Sequence, residues 1–327
     1  MPTEIEEFTL YRGEVKIEFY PNSHIYKVTD SKFGLDRKRV QSCTGIIGIK
    51  DKSAPLVIWA TRLAQQHLEA KVLAGQPITI TDIREACGLH KVRKEQAATI
   101  GDEIHDWIEY FIKAVLEVPG YEIKPTPTKP EVRLGVISFL DWVDAHHVRF
   151  ISSERVLYSR TGQWIGKMDF EAIIDGKLAM GDWKSSNSLQ NTVRLQTAGY
   201  ATADMEEFNY TNNLVPGEIF LQGEAYIKRG KELPKKLRDE MAKYPSKTKQ
   251  YQTRWAIRLT KETEKDYHVR MKEKGLADYP DYMAFEAMEF PEVPGEAIAD
   301  DYIGFDHARG LFLWDRHTDF YYNKVKK

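Results

Sequence analysis

Cysteine is scarce in this chain of 327 residues: Cys43 and Cys87 are its two. Two thiols cannot build a disulfide framework or an all-cysteine iron–sulfur cluster. They suit a reducing, intracellular setting, in the simplest case the cytoplasm. Long apolar runs are missing too, so no membrane span is expected. The opening MPTEIEEFTLYRGEV is acidic and lacks the charged-then-apolar pattern of a signal peptide. A nucleotide-binding loop is also missing. The nearest approach, Gly162-Gln163-Trp164-Ile165-Gly166-Lys167, has one residue too few between its glycines and no Ser or Thr after the lysine. A built-in ATP-driven motor is therefore not expected. Neither sign of charge dominates: the formal net charge is −2, which makes no global statement about nucleic acid. No internal repeat or low-complexity tract stands out.

The most strongly patterned stretch runs from Gly166 to Lys184. Met168, Phe170, Ala172 and Ile174 recur at period two, and Leu178 and Met180 continue on a second arm. Between the arms lies Asp175-Gly176, a favoured two-residue hairpin turn because both central positions need positive φ. Pairing Ile174 with Lys177 sets Asp169 directly opposite Asp182, with Lys184 on the same face. Like charges so placed repel. A divalent cation between the carboxylates removes the repulsion, and hard cations such as Mg²⁺ take oxygen ligands. Two acids and a lysine on one sheet face point to metal-assisted phosphodiester hydrolysis. The plain alternative is a solvated hairpin with an ordinary Asp–Lys ion pair.

The flanking sequence supplies further candidates. Residues 15–29 predict a β-hairpin turning at Pro21-Asn22-Ser23. A helix is expected over residues 54–73, with Leu56, Trp59, Ala60, Leu63, Ala64, His67 and Leu68 forming one stripe. A second helix, about Lys91 to Val115, is expected to bury Ile100, Ile104, Trp107, Ile108, Phe111, Ile112 and Val115. His105 stands one turn after Gly101 and one before Glu109. A lone histidine is more often structural than a ligand. Another helix spans about Pro130 to His146, with Val136, Phe139, Leu140 and Val143 inward. A strand follows at Phe150–Tyr158. If Thr161-Gly162 closes it onto the next strand, Glu154 opposes Asp169. After Lys184 comes a loop with Asn187 as a capping candidate, then a helix carrying Gln196 and Tyr200 on one face. Glu218–Lys228 reads as a further strand. Residues 226–274 are rich in Lys and Arg and interleave Tyr244, Tyr251, Trp255 and Tyr267, a mixture that suits single-stranded nucleic acid. An acidic tail follows, with a final helix or strand pair at GLFLWDRHTDFYY.

Taken in order, these residues resemble the PD-(D/E)XK nuclease superfamily, in the RecB-like exonuclease branch. The resemblance rests on the His105 helix, the Glu154 strand, the Gly166/Asp169 strand, Asp182-Trp183-Lys184 and the Gln196-Thr197-Ala198-Gly199-Tyr200 helix. The opening FYPNSHIYKV and VQSCTGII are similar to the lead-in of phage and mitochondrial single-strand exonucleases. The match covers about Phe19 to Lys228. It implies an α/β fold: a restriction-endonuclease-like core with a mixed central sheet flanked by helices. Residues 1–124 would form an N-terminal hairpin and helical region, 125–228 the nuclease core, and 229–327 mixed additions packed on it.

The resemblance further implies that His105, Asp169, Asp182 and the Trp183 carbonyl hold Mg²⁺ or Mn²⁺. Lys184 is the implied catalytic lysine and Glu154 an accessory acid. Gln196 and Tyr200 are the implied DNA-contacting pair, and Ser185, Arg254 and Trp255 are assigned to DNA with them. The expected activity is that of an end-dependent deoxyribonuclease with a single-strand preference. Its expected partners are DNA and a recombination or single-strand-binding protein. A structure- or site-specific endonuclease, or a non-cleaving DNA-binding subunit, are the alternatives. Many relatives carry a four-cysteine iron–sulfur cluster, which this chain cannot build.

Overall fold

The computed structural model describes residues 5–49, 53–186, 188–212, 219, 222–223, 226, 231–243, 249–273, 281–291 and 298–325. It opens with a four-stranded antiparallel meander: β1 Glu6–Leu10, β2 Val15–Tyr20, β3 Ile25–Asp30 and β4 Leu35–Ser42. The expected hairpin is β2–β3, closed by a 3-10 turn at Pro21–Ser23. Alternating Val15, Ile17, Tyr26 and Val28 bury one face of the meander. Ser42 ends β4 and caps α1, Cys43–Ile47, by accepting the Gly45 N–H at 3.0 Å. Helices α2 (Ser53–Leu73), α3 (Ile80–Val115) and α4 (Pro130–Ala145) follow. Thr79 and Asp82 form a reciprocal capping box that starts α3.

The remaining strands are β5 Val148–Ser159, β6 Trp164–Ile174, β7 Lys177–Lys184, β8 Thr253–Leu259 and β9 Phe285–Pro291. They interleave with helices α5 Thr192–Asn212, α6 Lys235–Met241, α7 Glu264–Glu273 and α8 Ile298–Val325. The result is an α/β chain with an open, mixed and largely antiparallel sheet. Its order is β1-β2-β3-β4-β6-β7-β8-β9, and β5 pairs with β6. The parallel contacts are β4–β6 and β7–β8. Strands from the beginning, middle and end of the chain thus share one sheet.

Helices cover both faces. Ile104, Ile108 and Ile112 of α3 and Phe139 and Trp142 of α4 pack on Phe170, Trp183 and Ile257. Tyr200 and Ala201 of α5, Cys43 and Ile46 of α1, and Phe305 of α8 pack on Met168 and Met180. Along β7 and β8 side chains alternate: Ala179, Trp183, Trp255 and Ile257 join the cluster of α3 and α4, whereas Asp182, Lys184 and Arg254 bond to α5.

The hairpin register is the one that the Asp-Gly turn dictates. Ile174 pairs with Lys177, and Asp175 and Gly176 both have positive φ, +48° and +79°. Three expectations need correction. The stripe of α2 is half-buried at Ala60, Leu63, Ala64, His67 and Leu68, in a helix that packs on α3, but its N-terminal members are not inward: Leu56 is 56% and Trp59 38% exposed, as is Val115 of the α3 stripe at 52%. In α4 the inward residue is Trp142 and not Leu140, which is 37% exposed. Most of Glu218–Lys228 lies outside the described residues, but Ile219, Gln222, Gly223 and Tyr226 are helical. The strand that extends the sheet is β8. Asn187 and Tyr244 also lie outside the described residues.

Candidate functional site

The site forms where the sheet divides. On one edge of β6, β4 takes Trp164 and Ile165, and β7 takes Phe170 to Ile174. Gly166 to Asp169 lie between, where the two neighbouring strands part. At this point a side chain takes the place of a ladder bond: Asp169 Oδ2 accepts the Trp183 backbone N–H at 2.7 Å. The Trp183 indole is buried against Phe139, Trp142 and Phe170, so only its backbone is turned to this chemistry.

Asp182 and Lys184 share a face of β7 and form an ion pair through Asp182 Oδ2. Gln196 of α5 joins them. Its amide nitrogen donates to Asp182 Oδ1 at 2.8 Å and to the Tyr200 hydroxyl at 3.0 Å, and its amide oxygen accepts from Lys184 Nζ at 3.1 Å. Gln196 and Tyr200 are 9% and 4% exposed. Their spacing of four on one helix places them together as expected, but as a buried clasp on the acid and the lysine rather than as a surface that meets DNA. Burial opposes the charge on Lys184, yet Asp182 and Asp169 outweigh it and raise its affinity for the proton.

His105 projects from α3 toward the same place, with Nδ1 3.8 Å from Asp169 Oδ2. Burial lowers its basicity, which favours the neutral imidazole that can ligate a metal. A Cβ on Gly101 would lie 2.7 Å from Ser185 Oγ, so this glycine admits Ser185 against α3. Glu154 arrives from β5 in a left-handed conformation, φ +54°, within an irregular stretch of the β5–β6 ladder. Flanking pairs Ser153–Phe170 and Arg155–Met168 fix its register opposite Asp169, the register that a turn centred on Thr161-Gly162 requires. Strain of this kind in a non-glycine residue persists where surrounding structure over-determines it, and it clusters at functional sites. Ala98, Gly101, His105, Glu154, Lys167 and Ser185 line a cavity of about 400 Å³.

One atom each of His105, Glu154 and Asp169 lies within 4.8 Å of the others. Burial pushes Asp169 well above the usual carboxylate range, and Asp182 and Glu154 add like-charge repulsion. Burial also raises Glu154. A nitrogen and two carboxylates in this proximity, with crowded negative charge, fit a hard divalent cation such as Mg²⁺ or Mn²⁺. The closest group differs from the expected one: Glu154 belongs to it, whereas both oxygens of Asp182 are engaged by Gln196 and Lys184.

Two expected DNA contacts are overturned. Arg254 is fully buried and binds Asp301 at 2.7 Å, Thr197 Oγ1 at 3.0 Å and the Arg194 carbonyl at 2.8 Å. Trp255 is 6% exposed and packs against Trp142 and His146. Neither is available to a nucleic acid, because β8 is an interior strand. Tyr251 is buried as well, its hydroxyl 2.5 Å from Asp204 Oδ2. Lys167 was not singled out by its sequence. It stands two before Asp169, and that period-two spacing was the available signal.

A scan against protein-family models and a search of curated proteins returned no match to the chain. Among the described residues, no helix is long and apolar enough to cross a membrane.

Proposed function

We propose that the protein is a metal-dependent deoxyribonuclease built on a PD-(D/E)XK-type core. The observation that carries this reading is the convergence of Asp169, Asp182, Lys184, Glu154 and His105 at the opening between β4 and β7. These groups come from four different elements, and their mutual burial of like charge is unfavourable unless a cation balances it.

His105, Glu154 and Asp169 would hold Mg²⁺ or Mn²⁺, with Asp182 beside them. When bound, the ion would polarise a phosphodiester and make an attacking water more acidic. The rest is the work of the chain. Lys184, held by Asp182 and Gln196, points a fixed positive charge at the centre and offsets negative charge that develops on the phosphate. Gln196 fixes both partners through one amide, and Tyr200 in turn accepts from that amide. Ser185, admitted by Gly101, lies at the cavity wall where a backbone phosphate would pass.

Within this class the reading is an exonuclease that needs a free end and prefers single strands. A duplex would have to be opened before it entered a cavity of about 400 Å³, and the sequence has no ATP motif to drive opening. The test is end-labelled single- and double-stranded DNA, linear and covalently closed, incubated with Mg²⁺ or Mn²⁺. Degradation of linear single strands, with closed circles spared, is expected. Equal cleavage of the closed circles would replace the exonuclease by an endonuclease, and no metal-dependent cleavage of any substrate would end the nuclease reading.

A further inference from the structure

The cavity beside the metal-ligating group holds a cation that the chemistry above does not use. Lys167 Nζ lies 2.7 Å from Glu154 Oε2, in an ion pair whose lysine is 42% exposed and whose acid is 12% exposed. The two residues sit diagonally across the β5–β6 ladder, where Val156 pairs with Lys167. Two other acids of the same cavity have cations of their own. Asp106 pairs with Lys124 at 2.5 Å, and Glu109 pairs with Lys113. Lys167 is thus paired with Glu154, and Glu154 is also one of the three groups drawn together for a metal.

One carboxylate cannot give its full charge to both a lysine and a divalent cation, and the two cations repel each other at this separation. We infer that Lys167 and the metal compete for Glu154, so that metal loading frees the Lys167 ammonium to hold a phosphate of the DNA strand. A lysine suits this exchange, because its ammonium is a compact charge on a flexible four-carbon stem that can change partner. The DNA phosphate supplies the counter-charge that Glu154 has surrendered to the metal. Strand binding is thereby made conditional on metal binding. This inference rests on the metal-dependent nuclease reading and adds to it a metal-gated phosphate anchor.

Two binding measurements test it. Mn²⁺ affinity, followed by titration calorimetry or by the Mn²⁺ spin-resonance signal, should tighten in Lys167→Met by at least about threefold, the size of a partly exposed ion pair. Lys167→Arg keeps the competing charge and should stay within twofold of wild type. Binding of a fluorescent single strand, measured by anisotropy on a Lys184→Ala background so that the strand survives, should respond to the metal. With Mn²⁺ present, Lys167→Met should weaken binding at least about threefold and reduce the salt slope by about 1. Without Mn²⁺ the same substitution should change it less than twofold. Unchanged or weaker Mn²⁺ affinity in Lys167→Met overturns the competition. An equal loss of DNA affinity with and without metal overturns the gate. A wild-type protein that binds no Mn²⁺ overturns the metal site itself, a result distinct from binding with unaltered affinity.

Discussion

Asp169 and Asp182 lie close enough at the site to repel each other but are balanced in different ways. Asp182 has the Lys184 ammonium on one oxygen and the Gln196 amide on the other. Asp169 has a backbone N–H from Trp183 and a histidine at 3.8 Å, while burial, Asp182 and Glu154 all act against its charge. Removing the two charges should therefore have opposite effects. Asp169→Asn keeps an acceptor for the Trp183 N–H and removes the poorly compensated charge. Without metal it should stabilise the fold by about 1 kcal/mol, an increase of roughly 2 °C in Tm for a chain of this length. Asp182→Ala leaves Lys184 with Gln196 but no ion partner, and should destabilise by about 1–3 kcal/mol. Both should abolish metal-dependent cleavage. Thermal denaturation in the presence of a chelator separates the two. A loss of stability in Asp169→Asn would show that its charge is well compensated after all.

Two glycines at the site, Gly166 and Gly101, allow close approaches of other side chains. A Cβ on Gly166 would lie 2.4 Å from Tyr200 Cε1, against a ring fixed in the clasp. Gly166→Ala should cost about 1–3 kcal/mol, as overpacking does, and displace the clasp. Gly101 meets only the Ser185 hydroxyl, which can rotate away, and it lies inside α3, where alanine is favoured over glycine by about 1 kcal/mol. Gly101→Ala should be neutral or stabilising while moving Ser185 and slowing turnover. Equal stability losses in denaturant would contradict this contrast. The elements that place Asp169, Asp182 and Lys184 were readable in the sequence because their information is local. The Asp175-Gly176 turn sets the register from Ile174–Lys177 to Phe170–Gly181; beyond it the expected Asp169–Asp182 pair is replaced by the parting of the strands, and Met168 packs in a different cluster from Phe170. The errors arose where distant partners decide. Arg254 and Trp255 counted as basic and aromatic surface, but Arg254 meets Asp301, 47 positions away, and Trp255 meets α4. An apolar run such as that at Ile219 fits strand or helix equally by period, and Ile219 itself is helical. Leu56 and Trp59 share the helical period of the half-buried α2 residues, and period alone does not tell which part of a stripe a neighbour covers.

The meander that supplies β4 to the site is tied to the rest of the molecule by a buried charge cluster. Arg160, fully buried, binds both oxygens of Asp30 at 2.7 and 2.9 Å and Glu14 at 2.8 Å. Tyr210 of α5 donates to the same Glu14 oxygen at 2.5 Å, and the Tyr11 hydroxyl donates to the Tyr158 carbonyl at 2.7 Å. A bidentate arginine pair removed from water helps only when complete. Asp30→Ala leaves a buried guanidinium short of its main partner and should cost about 3–5 kcal/mol. Glu14 adds a pH dependence. Partial burial pushes its carboxyl up, but hydrogen bonds from Tyr210, Arg160 and Lys32 outweigh this and bring it from 4.5 to about 2. Its folded value lies below its unfolded one, so its contribution is fully present above about 4.5 and is lost as pH falls toward 2. Glu14→Gln should therefore be less stable than wild type at pH 7, and the gap should close between those two values. Denaturant midpoints measured across that range decide the matter: two curves that run parallel down to pH 2 would mean that the Glu14 charge does not join the meander to the core.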